Sequence, residues 1–167
     1  MAKGQYDGFY GAVLDGEEFK INAGLNDAWY NPATNGQGFL ITAFPDRKEM
    51  FLAWFTFDTE RPLADVTAML GEPGHRWLTA QGPYEGDTAN LTIFMTEGGV
   101  FDAAVPAVST DPEGDGTLTL EFADCTQGMV SYAITSLGIS GEIPIQRISA
   151  GNVPLCESLD QQQQDPQ

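Results

Sequence analysis

The chain has 167 residues, 42% of them hydrophobic, which fits one domain with a core of its own. Seven lysine and arginine residues stand against 24 aspartate and glutamate residues, so the formal net charge is −17. Such a surface repels phosphate backbones and anionic lipid headgroups, which excludes nucleic acid and membrane surfaces as expected partners. No apolar run is long enough to cross a bilayer, so we expect no membrane insertion.

Short runs that alternate apolar and polar residues predict strands along the chain. In chain order these runs lie at 39–44, 50–57, 89–95, 117–122, 130–135 and 142–146. The run 50–57, MFLAWFTF, is apolar on both faces, which is typical of a central strand or of one that lines an occupied interior. Turn residues such as Asn35-Gly36 and Gly82-Pro83 separate the runs at short intervals. We therefore predict an all-β fold, an antiparallel up-and-down β-barrel or sandwich of roughly eight short strands.

Helix signals are weak, since 19 glycines and 10 prolines punctuate the chain. The one candidate is PLADVTAML at 62–70, which has room for one or two turns, so at most one short helix is expected. The end of the chain, SLDQQQQDPQ at 158–167, has no apolar periodicity and is predicted to be disordered. We therefore divide the chain into a single β domain at 1–157 and a Gln-rich tail at 158–167.

An aromatic surplus lies beside the predicted turns and at strand ends. It comprises Trp29, Tyr30, Trp54, Trp77 and Tyr84. Flat rings at the mouth of a barrel can stack on sugar faces or hold an apolar ligand, so these residues are the candidate ligand-binding set. The alternative is that they close one end of the core, which is the commoner use of such clusters.

The loop DPEGDG at 111–116 carries three alternating carboxylates, on Asp111, Glu113 and Asp115. Alternating oxygens ahead of a glycine resemble the first half of a calcium-binding loop. The acid that such a loop needs at its twelfth position is replaced by Phe122, and a strand follows instead of a helix. An acidic hairpin loop is the simpler interpretation, and calcium is the one cofactor that the sequence suggests.

Residues for catalysis are few. The single histidine, His75, lies in a Gly/Pro-rich loop, and neither a G-x-S-x-G motif nor a phosphate-binding glycine loop is present. Glu121 and Asp124, near a strand end, are the one carboxylate pair that suggests glycoside hydrolysis. A catalytic function is therefore not the expected one.

The first residues, MAKGQYDGFYG, lack the apolar segment of a signal peptide. The protein is therefore either cytosolic or exported with its signal absent from this chain. Two cysteines, Cys125 and Cys156, are compatible with one disulfide or with two buried free thiols. The even cysteine count and the low lysine content together favour the disulfide and a periplasmic or extracellular location.

Several motifs run in order through most of the chain, from 21 to 157. They include WYNPATNGQGF, AWFTFD, RWLTAQG, LTLEFADC and IPIQR. In order and spacing they resemble a group of small exported proteobacterial proteins for which no activity is established. The resemblance implies export and, through export, the Cys125–Cys156 disulfide. It implies no chemistry.

Three functions follow, in order of preference. The first is an exported, acidic, non-catalytic β module that binds a small apolar molecule or a glycan through an aromatic mouth. The second is a structural or assembly subunit of an extracellular homo-oligomer or filament, which would donate an edge strand such as YDGFYGAV at 6–13 to a neighbour. The third is a hydrolase that uses paired carboxylates.

Overall fold

A computed structural model describes residues 18–71 and 73–164. The strands in chain order are β1 (Asp27–Tyr30), β2 (Gly38–Phe44), β3 (Glu49–Phe57), β4 (His75–Glu85), β5 (Thr88–Phe94), β6 (Thr96–Glu97), β7 (Ser109–Thr110), β8 (Gly116–Phe122), β9 (Gln127–Ile134) and β10 (Ile139–Arg147). β6 and β7 form a separate hairpin, and the other eight close into an antiparallel barrel in which β1 pairs with both β2 and β10. Apart from that hairpin, each strand pairs with its neighbours in the chain. The prediction of an up-and-down barrel is confirmed.

Alternating side chains along the strands fill the barrel. Inward positions such as Ile41 on β2, Leu52 on β3, Ala80 on β4 and Leu120 on β8 are buried, while their chain neighbours point outward. Because successive side chains of a strand face opposite sides of the sheet, this is the pattern that the sequence alternation predicts. A barrel of eight strands leaves an interior just wide enough for side chains or for one small ligand.

The prediction of a turn at Gly82-Pro83 is wrong. Both residues lie inside β4, a strand that is absent from the predicted set. A side chain at position 82 would collide with the carbonyl oxygen of Asn90 on β5, so the glycine lets the two strands approach closely. The dipeptide therefore reflects strand packing and not chain reversal.

The helix lies elsewhere than predicted. The candidate segment 62–70 contains a single hydrogen-bonded turn, from Leu63 to Val66, and no helix. The α-helix is α1 (Val153–Gln164). The prediction of a disordered tail is thus wrong for 158–164, while 165–167 and the donated strand suggested at 6–13 lie outside the described residues.

Tertiary contacts hold α1 against the barrel. The backbone N–H of Lys20 donates to the Asp160 carboxylate at 3.1 Å, and the Lys20 ammonium donates to the Gln163 carbonyl oxygen at 3.0 Å. A side chain at Gly24 would collide with the backbone of Cys156, so the segment before β1 and the helix are in direct contact. Contacts of this kind, and not local apolar periodicity, explain why this polar segment is helical.

The two ends of the barrel differ. At one end, which we call the closed end, tight turns at 45–48, 86–87 and 123–126 join the strands. The segment before β1 is hydrogen-bonded to the 86–87 turn, and α1 packs on that segment and is joined to the 123–126 turn by the Cys125–Cys156 disulfide. At the other end, the open end, the connections are 31–37, 58–74, 135–138 and the stretch 95–115 that contains β6 and β7. Loops that a rigid scaffold presents at one end are a common place for binding residues.

A buried arginine ties the closed end together. Arg147 is 7% exposed and donates to the Asp27 carboxylate at 2.9 Å, to the Gly24 carbonyl oxygen at 2.6 Å and to the Cys125 carbonyl oxygen. Its guanidinium also lies over the Trp29 ring, 4.6 Å from the ring centre. Burial lowers the pKa of Arg147, and the hydrogen bond to Asp27 opposes that shift. The charge is thus paired with a carboxylate and hydrogen-bonded to two carbonyl oxygens, as a buried cation requires.

The Cys125–Cys156 disulfide is confirmed. It joins the turn between β8 and β9 to α1, so it fastens the helix across the closed end. The alternative of two buried free thiols is excluded.

We expect Arg147→Met to lower the free energy of unfolding by about 2–5 kcal/mol, because it leaves a carboxylate and two carbonyl oxygens without their donor. Arg147→Lys should recover little of this loss, since an ammonium cannot span three separated acceptors as a planar guanidinium does. Urea unfolding followed by circular dichroism measures both. As a control, Arg47→Met removes an exposed ion pair with Glu49 and should lower the free energy of unfolding by about 1 kcal/mol or less. Equal losses for the two methionine variants would contradict the role given to Arg147.

Reduction of the disulfide should lower the free energy of unfolding by about 3–4 kcal/mol, because the bond closes a loop whose ends are 31 residues apart. Urea unfolding with and without a reductant measures the difference. The double variant Cys125→Ser, Cys156→Ser should match the reduced protein and not respond to the reductant. Equal stability of the oxidised and reduced chains would show that α1 holds its place without the bond.

Candidate functional site

The open end of the barrel contains a cavity of about 670 Å³, a volume typical of small-molecule sites. Three inward rings form its base, on Phe39 of β2, Trp54 of β3 and Tyr132 of β9, and we call them the aromatic floor. The Trp54 ring centre lies 5.3 Å from that of Phe39 and 5.0 Å from that of Tyr132, which meets it edge-on. The walls are apolar and come from Leu78, Met95, Ile134, Ile139 and Ile143.

Polar side chains also line the cavity, among them Gln37, Thr56 and Thr96. Within the described residues, neither the Trp54 indole N–H nor the Tyr132 hydroxyl has a hydrogen-bond partner. No fully buried side-chain nitrogen or oxygen in that part of the chain lacks a partner, so both groups remain accessible from the cavity. Nearer the rim, the Thr56 hydroxyl donates to the Gln37 amide oxygen at 2.6 Å. The aromatic floor therefore presents two polar atoms that a ligand can reach.

One ion pair stands at the rim. An Arg76 nitrogen lies 2.7 Å from an Asp58 oxygen. The same guanidinium donates to the carbonyl oxygens of Pro73 and His75. These bonds hold the two ends of the loop 58–74 together beside the cavity. The Arg76 guanidinium is therefore already paired with groups of the protein.

The mouth of the cavity is acidic. Asp58, Glu97 and Glu142 line it together with Arg76. Because Arg76 pairs with Asp58, the two glutamates carry the remaining charge. With the net charge of −17, this distribution favours neutral or cationic ligands over anions.

The structure separates the five predicted aromatic residues. Trp54 and Trp77 line the cavity, and Trp77 stands at its lip with 56% of its surface exposed. Trp29 is fully buried at the closed end, while Tyr84 is buried near the same end, where its backbone N–H meets the 45–48 turn. Tyr30 is half-buried and does not line the cavity. Trp29 and Tyr84 are part of the core, while Trp54 and Trp77 border the cavity, and ligand binding by these two stays a prediction.

Two residues of the aromatic floor are absent from the predicted set. Phe39 and Tyr132 both lie in predicted strands, as the inward members of an alternating pattern. Alternation gives the face of a strand, and it does not distinguish the filled part of the interior from the hollow part. The sequence signal that could have identified them is their position near the strand ends that adjoin the longer loops.

The acidic loop 111–116 uses its carboxylates locally. Asp115 accepts hydrogen bonds from the backbone N–H of Ser136 at 2.9 Å and from its hydroxyl at 2.6 Å, and Asp111 accepts one from the Glu113 N–H at 3.0 Å. Across 18–71 and 73–164, no group of three or more His, Cys, Asp or Glu side chains is placed to hold a metal ion. Calcium at Asp111, Glu113 and Asp115 stays a prediction.

The residues considered for catalysis do not converge in the cavity. Glu121 lies on the outward side of β8 near the closed end, and the Asp124 carboxylate accepts hydrogen bonds from Thr126 and Gln127 in the adjoining turn. The His75 ring packs beside Phe57, with the ring centres 5.5 Å apart, outside the barrel.

The fold and the cavity together define the class of protein: an eight-stranded up-and-down antiparallel β-barrel with an internal cavity at one end. No protein-family model matches the chain, and no curated protein or solved structure is significantly similar to it. Membership of the group of exported proteobacterial proteins stays a prediction. No helix among the described residues is long and apolar enough to span a bilayer.

Burial, and secondly the nearby Asp46 carboxylate, raise the pKa of Tyr84 above its ordinary value of 10.0. The unfolded chain then releases this proton at a lower pH than the folded chain. The stability that Tyr84 contributes is present below pH 10 and is lost as the pH rises through the folded pKa. Tyr84→Phe should therefore flatten the decline of Tm above pH 10, as measured by thermal unfolding. Asp46→Asn removes the nearby negative charge, so above pH 10 its Tm should fall less steeply than that of the native chain. An unchanged alkaline profile in Tyr84→Phe would contradict this assignment.

Proposed function

We propose that this protein is a non-catalytic binding module that takes a small, flat, mainly apolar molecule into the open end of its barrel. The observation that carries the proposal is the cavity whose floor is formed by Phe39, Trp54 and Tyr132. Rings in tilted and edge-on contact provide a surface on which another ring can pack, and the aliphatic walls bury the rest of the ligand.

The polar atoms of the aromatic floor determine the orientation of the ligand. The Trp54 N–H can only donate, and the Tyr132 hydroxyl can donate or accept. A ligand that covers both groups without pairing them would incur the cost of desolvating them. The ligand therefore carries at least one acceptor at the end that enters first.

A flat apolar molecule fits this cavity better than a glycan. Leu78, Ile134 and Ile143 offer no hydrogen-bond partners to the hydroxyl groups that surround a sugar. The acidic mouth adds a second restriction, because it disfavours a carboxylate or phosphate on the end that remains near solvent. Neutral and cationic ring compounds meet both conditions.

We also propose that the protein works outside the cytosol. The support is the Cys125–Cys156 disulfide, since such bonds persist in oxidising compartments. The proposal contains no catalytic step, and the carboxylates suggested for hydrolysis, Glu121 and Asp124, lie toward the opposite end of the barrel.

Three probes of one shape test the charge preference, each with a methoxy oxygen as the acceptor at one end and the varied group at the other: 6-methoxy-2-naphthalenemethanol, 6-methoxy-2-naphthylmethylamine and 6-methoxy-2-naphthoate. We expect the neutral and cationic probes to quench Trp fluorescence and raise Tm by mass action. Naphthoate should bind about fivefold to tenfold more weakly, because its charge meets Glu97 and Glu142 at the mouth. Added salt should narrow that difference. The absence of binding by all three would reject the proposed function, whereas equal binding by all three would reject only the charge preference.

Two variants of β10 test whether the probe binds inside the cavity. Ile143→Phe adds an inward ring to the cavity and should weaken binding by about tenfold or more while the folded protein keeps its Tm, because cavity filling does not remove core contacts. Gln146→Phe adds the same ring on the outward side of the same strand and should bind like the native chain. Unchanged binding by Ile143→Phe would locate the probe outside the cavity.

A further inference from the structure

The outer side of β2, β3 and β4 is unusually apolar for an exposed surface. Its large side chains are between 37% and 56% exposed. Five of them are Leu40, Phe51, Phe55, Phe57 and Trp77, and a sixth, Phe44, lies at the closed-end edge under the Arg47 guanidinium. We call this surface the outer aromatic face. Pairing makes it continuous, because Phe55 stands opposite Trp77 on β4, and Leu40 stands opposite Ala53 next to it.

Charges avoid the middle of this face. The outward residues between the large side chains are Thr42, Ala53, Thr79 and Gln81. Glu49 and Glu85 lie at its edge, beside the tight turns of the closed end. A chain with a net charge of −17 thus keeps most of three strands free of charge. Continuous exposed apolar patches mark interaction sites.

We propose that the outer aromatic face is the surface through which two copies of this chain associate. Antiparallel sheets pack face to face with their side chains interdigitated, and on the outer wall of a closed barrel such a contact is centred on the middle strand, here β3. In a two-fold dimer each copy presents the same face, so one apolar surface is enough to form the contact. Phe57 and Trp77 also line the cavity. Leu40, Phe51 and Phe55 lie only on the outside of the barrel, and these three carry the inference without the proposed ligand.

The size of the face matches that of the apolar centre of a dimer contact. Five large side chains, each about half exposed, provide on the order of 450 Å² of apolar surface per copy. A standard interface buries about 800 Å² per partner, with an apolar centre and a polar rim. The outer aromatic face therefore supplies the centre, and the surrounding threonines and loops are placed to supply the rim.

The distribution of charge favours a second copy over a basic partner. A basic protein would be attracted to the acidic remainder of the surface and not to an uncharged face. Two copies of an acidic chain repel one another, and this face is where they can approach with their carboxylates directed away. The association should then strengthen as salt screens the repulsion, which is the opposite of what a basic partner would show.

Sedimentation velocity of the full chain, at low and high salt, tests the proposal. We expect a species of twice the 18.0 kDa chain mass whose fraction grows with protein and salt concentration. Leu40→Lys and Phe51→Lys lie outside the cavity lining and should each raise the dimer Kd by about tenfold or more. Both positions are exposed, so thermal unfolding should show that the variants stay folded.

Ala133→Lys is the matched control. It makes the same charge change at an exposed outward position on β9, which lies across the ring of strands from β3. Each lysine reduces the net negative charge, so repulsion cannot explain a loss of dimer. A chain that stays monomeric up to about 1 mM at every salt concentration would overturn the proposal. A dimer that weakens with salt, or that Ala133→Lys disrupts as much as Phe51→Lys does, would overturn it equally.

Discussion

The buried guanidinium of Arg147 is the interaction on which the closed end depends. A charge at this depth is tolerated only when it is paired and hydrogen-bonded, and Asp27, Gly24 and Cys125 accept its hydrogen bonds from three separate parts of the chain. The arginine thereby joins the segment before β1, the strand β1 itself and the turn after β8. The disulfide extends the same unit to α1. With this end closed, space left by the interior side chains can open only at the other end.

Packing changes along the barrel axis. Near the closed end, Trp29 and Phe122 meet edge-on with their ring centres 5.2 Å apart, and Met50 is fully buried. Large side chains leave no room there. Toward the open end the rings of Trp54 and Tyr132 pack against each other and also border the cavity. Residues that stabilise the fold and residues placed to bind are thus separated by position, although both groups are aromatic.

Sequence patterns predict the parts of this structure that local periodicity controls. Leu118, Leu120 and Phe122 alternate strictly, and β8 forms over them. Local patterns do not predict β4, because Gly82 is required by its close contact with Asn90 on the next strand. That contact is not visible in the sequence around Gly82. The helical tail depends likewise on contacts with the segment before β1. Trp29 and Trp54 look alike in sequence, and only the closure of the barrel places one in the packed end and the other beside the cavity.

Strand β3 connects the two proposals. Its run MFLAWFTF is apolar on both faces, a pattern typical of strands that are covered on both sides. A single barrel covers only the inner face. On that side Met50 and Leu52 meet the core, and Trp54 borders the cavity that the proposed ligand would fill. Phe51 and Phe55 are left on the outside, between neighbouring strands that also present large apolar side chains. Only another molecule can bury the outer face, and the proposed second copy of the chain would do so.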